Sequence, residues 1–489
     1  MAATVNPDRS QWDVIVLGGA AAGENAAQYA SQYSGLSAVL VEDALLGGEC
    51  SYWACMPSKS LLRPVEAVDA ARSLPGVSAH LDPSAVLSHR DEVINHLDDT
   101  SQINWALQSG IDVVRGYGRL AGPRTVVVTK SDGTTTTLSA RHAVVIDTGS
   151  HPALPDVPGL REALPWTSRD VTTMREVPAR VIVLGGGVVA CEAATWLHGL
   201  GAEVSVVNRG HRLLSKQEPF AGDLVAAELE RQGVKLMLGR TASQVRRSSV
   251  RDTGHGRVHG GEIQVTLDDG TNIAADELVV AAGRIPNTGD IGLDTVGLPG
   301  GGYLDVDEHQ GVHGVDGTWL YAIGDACGRA LLTHMGKYQA RVAGEVIAAR
   351  AAGHTDLPSA AEGHRGLPQV VFTDPEVGSA GRTEQQARAD GLDVETAEYD
   401  LAALAGTYVL RPDYRGHAKL VIDRADDVIV GATFVGTGIA ELVHSATTAI
   451  VARIPLSVLW HVVPSYPTVS EIWLRLLETA RRRRQGGDA

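Results

Sequence analysis

Residues 13–31 read DVIVLGGAAAGENAAQYAS, and residues 179–197 read ARVIVLGGGVVACEAATWL. Each begins with a short apolar run, the mark of a strand buried on both faces. Each then turns through glycines into a stretch with helical spacing. A second apolar strand follows in both, SAVLVED at Ser37–Asp43 and AEVSVVNR at Ala202–Arg209. This is a βαβ unit, and it occurs twice, about 165 residues apart. The pattern predicts two Rossmann-like dinucleotide folds in one α/β chain, and so two cofactors, or a cofactor and a co-substrate.

The two turns differ. Gly18-x-Ala20-x-x-Gly23 has alanine where the middle glycine lets backbone approach a pyrophosphate. Glu42 ends the next strand 19 residues after Gly23, where a carboxylate bonds ribose hydroxyls. The alternative is an ordinary strand–helix turn. Gly185-x-Gly187-x-x-Ala190 follows the fingerprint with its tolerated final alanine. Its second strand ends at Asn208, followed by Arg209, Gly210, His211 and Arg212. No carboxylate waits there for a 2′-hydroxyl, whereas Arg209 can pair with a 2′-phosphate. NADPH is therefore expected in preference to NADH. The alternative is that Arg209 is a plain surface arginine.

The chain has 489 residues, enough for about three domains. Its 44% hydrophobic and 20% charged residues are those of a folded protein. The net charge of −16 argues against nucleic-acid or anionic-membrane partners. The one basic run, Arg481–Arg484, reads as a solvated helix end. The N-terminal stretch Met1–Gln11 is polar and shows no targeting signal, and no apolar stretch approaches the roughly 20 residues that span a bilayer. A cytoplasmic location is expected.

Between the βαβ units, helical spacing runs over Val65–Arg72 and Pro83–Ser109, and strand-like stretches over 112–117, 124–128 and 143–150. The Pro-rich segment His151–Pro158 reads as a crossover between domains. Leu278–Thr288 and Leu320–Ala326 are strands leaving into turns, and Ala351–Gly366 is a linker. Beyond it come antiparallel-like strands (419–422, 428–435) and helices (440–452, 471–484). The division expected is 1–155 with 285–355, then 156–284, then a C-terminal domain over 365–489.

Four cysteines exclude a disulfide scaffold. Two of them stand in GGECSYWACMPSK, residues 47–59, at Cys50 and Cys55. Five residues of regular helix rise roughly 7.5 Å, beyond the usual disulfide Cα separation of about 4.4–6.8 Å. The Cys50 end must be irregular if the pair is to bridge. A helix N-terminus also favours thiolates. The pattern reads as a redox couple; the alternative is two unrelated buried thiols. Cys191 and Cys327 read as inert packing.

In motif order and over nearly its whole length, the chain resembles the FAD-dependent pyridine nucleotide–disulfide oxidoreductases, among them dihydrolipoamide dehydrogenase, glutathione reductase and mercuric reductase. GGECSYWACMPSK is similar to the family's redox-active cysteine helix. IDTGS (146–150) is similar to its ATGS turn, with Asp147 in place of alanine. GRIPN (283–287), IGDA (323–326) and FTDPEVGSAGRTE (372–384) resemble the nucleotide-domain exit, the second flavin motif and the start of the dimer-interface domain.

The resemblance implies two Rossmann-like domains with a C-terminal α+β dimerisation domain, a homodimer, and a small-molecule substrate. It implies that Gly18, Ala20, Gly23, Glu42, Gly48, Thr148, Gly149 and Asp325 hold FAD, with Asp325 on the ribitol. It implies that Gly185, Gly187, Ala190, Arg209 and Gly283 hold NADPH. Lys59, one of six lysines, would lie near flavin N5 and pair with Glu192. Cys55 would be the charge-transfer thiolate and Cys50 the interchange thiol. No metal is implied.

One departure stands out. The family's C-terminal motif carries a His that serves the partner's thiols as acid/base. Here YPTVSE (466–471) keeps Pro467, Thr468 and Glu471 but has Tyr466 in place of that His. A phenol of pKa about 10 is a poor base at neutral pH, though it still donates a hydrogen bond. His461 is the one nearby alternative. Mercuric reductase also has a tyrosine near this position, but it ends in a cysteine pair that this chain lacks. Soluble transhydrogenase has a similar YPT ending and a Trp like Trp53, but lacks the second redox cysteine. Val188 stands where glutathione reductase carries an aromatic gate. The expected activity is NADPH-dependent reduction of a small disulfide or related electrophile. The alternatives are direct electron transfer from flavin to a quinone, a dye or a second nicotinamide, and a non-catalytic flavoprotein subunit.

Overall fold

Val14–Leu17 pairs in parallel with Ala38–Val41, and the same strand pairs in parallel with 143–146 on its other side. Strands covered on both faces need no polar alternation, which is why these stretches are almost uniformly apolar. They centre a seven-stranded sheet in the order Ile111–Arg115, Ala38–Glu42, Gln11–Leu17, Thr135–Ile146, Thr125–Thr129, Tyr117–Leu120. Leu320–Ala322 joins it in parallel beside Thr135–Ile146. Five parallel strands thus end together, at Leu17, Glu42, Arg115, Ile146 and Ala322. Ligands bind parallel sheets at that edge.

This sheet belongs to the first of two units in the computed structural model, which describes residues 9–486. The unit comprises Met1–Pro57, Asp91–Pro152 and Arg284–Ala361. Residues 1–8, most of the polar N-terminal stretch, and 487–489 lie outside the described residues. Helix Ala21–Ser31 packs on helix Thr333–Ala351 through small residues. A Cβ on Gly344 would come within 2.7 Å of Tyr29 Cβ, so only glycine permits the approach. Sequence reading placed no helix at 333–351, because glycines, alanines and Gln339 on its inner face dilute the apolar periodicity.

The second unit comprises Ser58–Arg90, Ala153–Gly283 and Glu362–Ala489. Its nucleotide fold is a parallel sheet in the order Lys235–Leu238, Glu203–Asn208, Arg180–Leu184, Glu277–Val280. An antiparallel three-stranded sheet (Ala242–Arg247, Ile263–Leu267, Asn272–Ala275) is inserted before the last of these. The C-terminal part is a five-stranded antiparallel sheet of Pro368–Val371, Glu376–Gly381, Val428–Gly436, His417–Asp423 and Val394–Asp400, in that order, with helices Leu442–Val451 and Ile472–Arg484.

Two expectations change here. The helix expected from Val65 begins at Cys55 and runs through Pro64 to Arg72. Leu61 and Leu62 are buried on it, and packing of that face outweighs the proline penalty. The helix expected over Pro83–Ser109 is two, Pro83–Val93 and Thr100–Gln108. They are separated where Asn95, His96 and Leu97 take left-handed backbone.

Buried charge joins the two parts of the second unit. Lys419 Nζ, on strand His417–Asp423, lies 2.6 Å from Glu384 and 3.1 Å from Glu218, the residue before helix Pro219–Gln232. Arg411 bonds Asp69 at 2.8 Å and Asp413 at 2.9 Å. Lys419→Ala leaves buried Glu218 without its cation, while Glu384 keeps Arg388 at 2.9 Å, and should destabilise this unit by about 3–5 kcal/mol. A lowered urea midpoint in the fluorescence of its tryptophans would show it.

Candidate active site

In the first unit the glycine turn closes tightly at the sheet edge. Gly18 has φ +103°, and a Cβ there would lie 2.1 Å from Asp147 O. A Cβ on Gly23 would lie 2.1 Å from Gly18 O. Gly48 approaches Ala20 so closely that its own Cβ would come within 2.5 Å of the alanine methyl. Ala20 is therefore covered by the cysteine segment, and its methyl takes space that a glycine would leave open. Glu42 accepts from Gly19 N at 2.7 Å and from Ala44 N at 2.8 Å. Burial, ahead of these bonds, raises its pKa.

The cysteine segment is two helices. Gly48–Tyr52 ends at Trp53, and Cys55 opens the helix Cys55–Arg72. The irregularity lies between the cysteines and lets their sulfurs become hydrogen-bonding neighbours. All four cysteines of the chain are outside disulfides. Thr333 Oγ1, at the start of its helix, lies 3.4 Å from Cys55 Sγ and also bonds Cys50. The Cys50 thiol is pushed up by its bond to Cys55 and then by burial, with Thr333 and Lys337 pulling the other way. In the reduced pair Cys50 keeps its proton. Cys191 and Cys327 are buried, and burial pushes both thiols up to about 12.

Sequence reasoning missed Thr333, and it missed Arg284. Arg284 Nη2 donates to Glu49 Oε2 at 2.5 Å and to Ser150 O at 2.6 Å, and Nε donates to Ser150 Oγ at 2.6 Å. Ser150 Oγ in turn donates to Asp325. One guanidinium thus ties the residue before Cys50 to the IDTGS and GDA turns. The signal available was the GRIPN motif itself, whose arginine carried no assigned role. Thr148 Oγ1 is buried with no hydrogen-bond partner, and a Cβ on Gly149 would meet nothing within 4 Å. An orphaned hydroxyl beside open space is what a bound cofactor would complete.

In the second unit Lys59 Nζ lies 2.7 Å from Glu192 Oε2, with the carboxylate buried and Lys59 36% exposed. Glu192 Oε1 accepts from Phe372 N at 3.0 Å, and Lys59 sits 4.8 Å from the centroid of the Phe372 ring. Gly185 has φ +136°, and a Cβ on it would lie 2.3 Å from Ala281 O. Cβ atoms on Gly187 and Gly283 would meet nothing within 4 Å. Ala190 is buried in the helix Val188–Gly199. Asn208 turns its amide onto Gly210 O and Arg212 O, and Arg212 pairs with Asp223. Arg209 is exposed with no ion pair among the described residues.

Tyr466 is 74% exposed and makes no hydrogen bond among the described residues. His461 is exposed as well. Glu471 is buried; Oε1 accepts from Arg475 at 2.6 Å and Oε2 has no partner. Val462 and Val463 are exposed on the same segment as Tyr466, and Tyr408 and Val409 on the helix Ala405–Leu410, which packs on Thr468 at Gly406. Among the described residues no cluster could hold a metal ion, and no helix is long and apolar enough to cross a membrane.

Two dinucleotide turns and a thiol pair set at a helix junction define a nucleotide-dependent redox enzyme. The family model of pyridine nucleotide-disulphide oxidoreductases matches residues 12–352, and that of their dimerisation domain matches 367–476. The chain belongs to this family of FAD-dependent oxidoreductases. It is 30% identical to a glutathione reductase of Burkholderia cepacia, covering 95% of this chain and 98% of that one. It is 29% identical to a dihydrolipoyl dehydrogenase of Chlamydia muridarum (94% and 95%) and 28% identical to a mercuric reductase of Staphylococcus aureus (94% and 81%). The HOCl-induced flavoprotein disulfide reductase RclA of Escherichia coli, solved as a Cu(II) complex, shares the fold with a TM-score of 0.81 at 22% identity, over 96% of this chain and 99% of that one.

Glu24, in the first turn of helix Ala21–Ser31, has a buried Oε1 without a partner, and burial raises its pKa to about 7 against an opposing effect of Lys337. The folded chain then keeps a proton that the unfolded chain releases above about pH 4.5. That contribution to stability is full below pH 4.5 and is lost as pH rises through about 7. In FAD-depleted protein, Glu24→Gln should match wild type near pH 4 and exceed it by up to about 3 kcal/mol at pH 8. Urea titrations at the two pH values measure the difference.

Proposed function

We propose that the protein is an NADPH-dependent reductase of a small disulfide or related electrophile, working as a homodimer through the Cys50–Cys55 pair. The observation that carries this reading is the junction at Trp53, which makes the two sulfurs hydrogen-bonding neighbours. In this reading residues 1–155 with 285–355 hold FAD, 156–284 hold NADPH, and 365–489 form the dimer interface. The exposed apolar side chains around Tyr466 support such an interface. When bound, FAD would supply the two-electron chemistry between the nicotinamide and the Cys50–Cys55 disulfide.

The chain's own groups then have these roles. Gly18, Gly23 and Gly48 close the cradle, Glu42 takes ribose hydroxyls, and Thr148, Gly149 and Asp325 complete the flavin side. Gly185, Gly187, Ala190 and Gly283 form the nicotinamide dinucleotide cradle. Arg209, exposed while Arg212 is engaged, is available for a 2′-phosphate. Lys59 supplies a cation whose partner Glu192 is itself fixed by Phe372 N. In the dithiol, Cys50 attacks one sulfur of the substrate and the other sulfur leaves with a proton. Cys55 then attacks Cys50, restoring the disulfide and releasing the second thiol. Because Cys50 holds its proton, that attack needs an acceptor. The acceptor is the leaving sulfur of the substrate, which takes that proton while Tyr466 of the partner subunit donates it a hydrogen bond; Tyr466 does not replace the missing His as a base.

The lack of that base favours a second reading, electron transfer from flavin straight to a quinone or dye. The variant Cys50→Ala separates the two. It should abolish NADPH-dependent disulfide reduction; unaltered turnover of every acceptor in the variant would overturn the dithiol route. Tyr466→His should raise disulfide turnover and shift its pH optimum toward neutrality. Separately, Arg209→Ala should raise KM for NADPH at least tenfold and leave that for NADH unchanged.

A further inference from the structure

Asp147 stands where the family's ATGS turn has alanine, and the strand Thr135–Ile146 delivers it to the sheet edge. Its side chain is 4% exposed. Oδ2 accepts from Gly23 N at 2.5 Å, in the first turn of helix Ala21–Ser31. Oδ1 lies 2.8 Å from where a Cβ on Gly324 would stand, so the carboxyl fills the space that glycine leaves. Three segments close on it, and it makes no ion pair and no second hydrogen bond among the described residues.

The charged groups facing it are all acids. Glu24 lies on the helix that carries Gly23, Glu42 ends the strand next but one in the sheet, and Asp325 lies on the GDA turn; the Cys327 thiol is also near. The cations of this region are engaged elsewhere: Arg115 pairs with Asp99, Arg284 pairs with Glu49 and lies 3.6 Å from Asp325, and Lys337 acts on Glu24 and Cys50. A carboxylate at position 147 would therefore be buried with one backbone donor and no counter-charge. A diphosphate brought to the N-terminus of helix Ala21–Ser31 would add negative charge to the same space. The neutral acid avoids both costs and still accepts from Gly23 through its carbonyl oxygen. Burial, ahead of the acidic neighbours, pushes Asp147 well above the ordinary carboxylate range.

We propose that Asp147 couples cofactor retention to pH: as the neutral acid it braces the glycine turn for FAD, and on ionisation it weakens FAD binding. It is a positioning residue, acting through Gly23 and the turn. The inference rests on the reading that the first glycine turn holds FAD.

The test is FAD affinity of the reconstituted apoprotein from pH 6 to 10, read by quenching of flavin fluorescence. Wild type should lose affinity by up to about tenfold per pH unit across the alkaline part of this range, taking up a proton as FAD binds. Asp147→Asn keeps the carbonyl acceptor and should bind FAD with a flatter profile and less proton uptake. Any slope owed to Glu24 and Glu42 is common to both proteins. Parallel profiles overturn the coupling. Should the variant fail to fold, wild-type FAD binding without proton uptake at pH 8–9, compared in two buffers of different ionisation enthalpy, overturns it equally. FAD that binds neither protein at any pH would overturn the FAD reading itself and this inference with it.

Discussion

Two sulfur atoms five residues apart must meet, and a continuous helix does not let them. The chain resolves this by ending one helix at Tyr52 and starting another at Cys55. Everything about the site follows from that interruption. It puts Cys55 at a helix start, where Thr333 touches both sulfurs. It also pushes the Cys50 thiol up, through its hydrogen bond to Cys55 and then through burial.

Each side of the interruption is tied down by charge. Glu49, the residue before Cys50, is held by Arg284, which also bonds Ser150 and lies near Asp325. One turn into the following helix, Lys59 is held by Glu192, and Glu192 by the backbone of Phe372. Such partly buried pairs contribute little net stability by themselves. Their value lies in direction: they fix the segments on which the reactive groups stand.

Much of the fold could be read directly. The apolar runs at 14–17 and 181–184 became parallel strands because nothing in them alternates. The glycine turns followed for a steric reason: a Cβ at Gly18 or Gly185 would strike a neighbouring carbonyl oxygen. The helix at 333–351 could not be read, because it packs through small residues and a buried Gln339. The break at 95–97 carried only a weak mark: Asn95 and His96 are poor helix formers that tolerate left-handed backbone, between stretches with helical spacing. At the site, the cysteines were legible from their spacing, whereas Lys59 and Glu192 were named only through the family resemblance. Arg284 and Thr333 were not, since an arginine in a turn and a threonine before a helix are ordinary until the fold shows what they touch. Asp147 was visible only as a mismatch, and its bond to Gly23 gives the mismatch a physical meaning.

Dithiol chemistry requires that the thiol pair be part of the electron path. Anaerobic titration of the oxidised, FAD-loaded enzyme with NADPH measures this directly. A thiol pair on the electron path gives uptake of four electrons per chain, two by the disulfide and two by the flavin, with a long-wavelength thiolate–flavin band after the first two. Full bleaching of the flavin by a single equivalent of NADPH, with no such band, would contradict it.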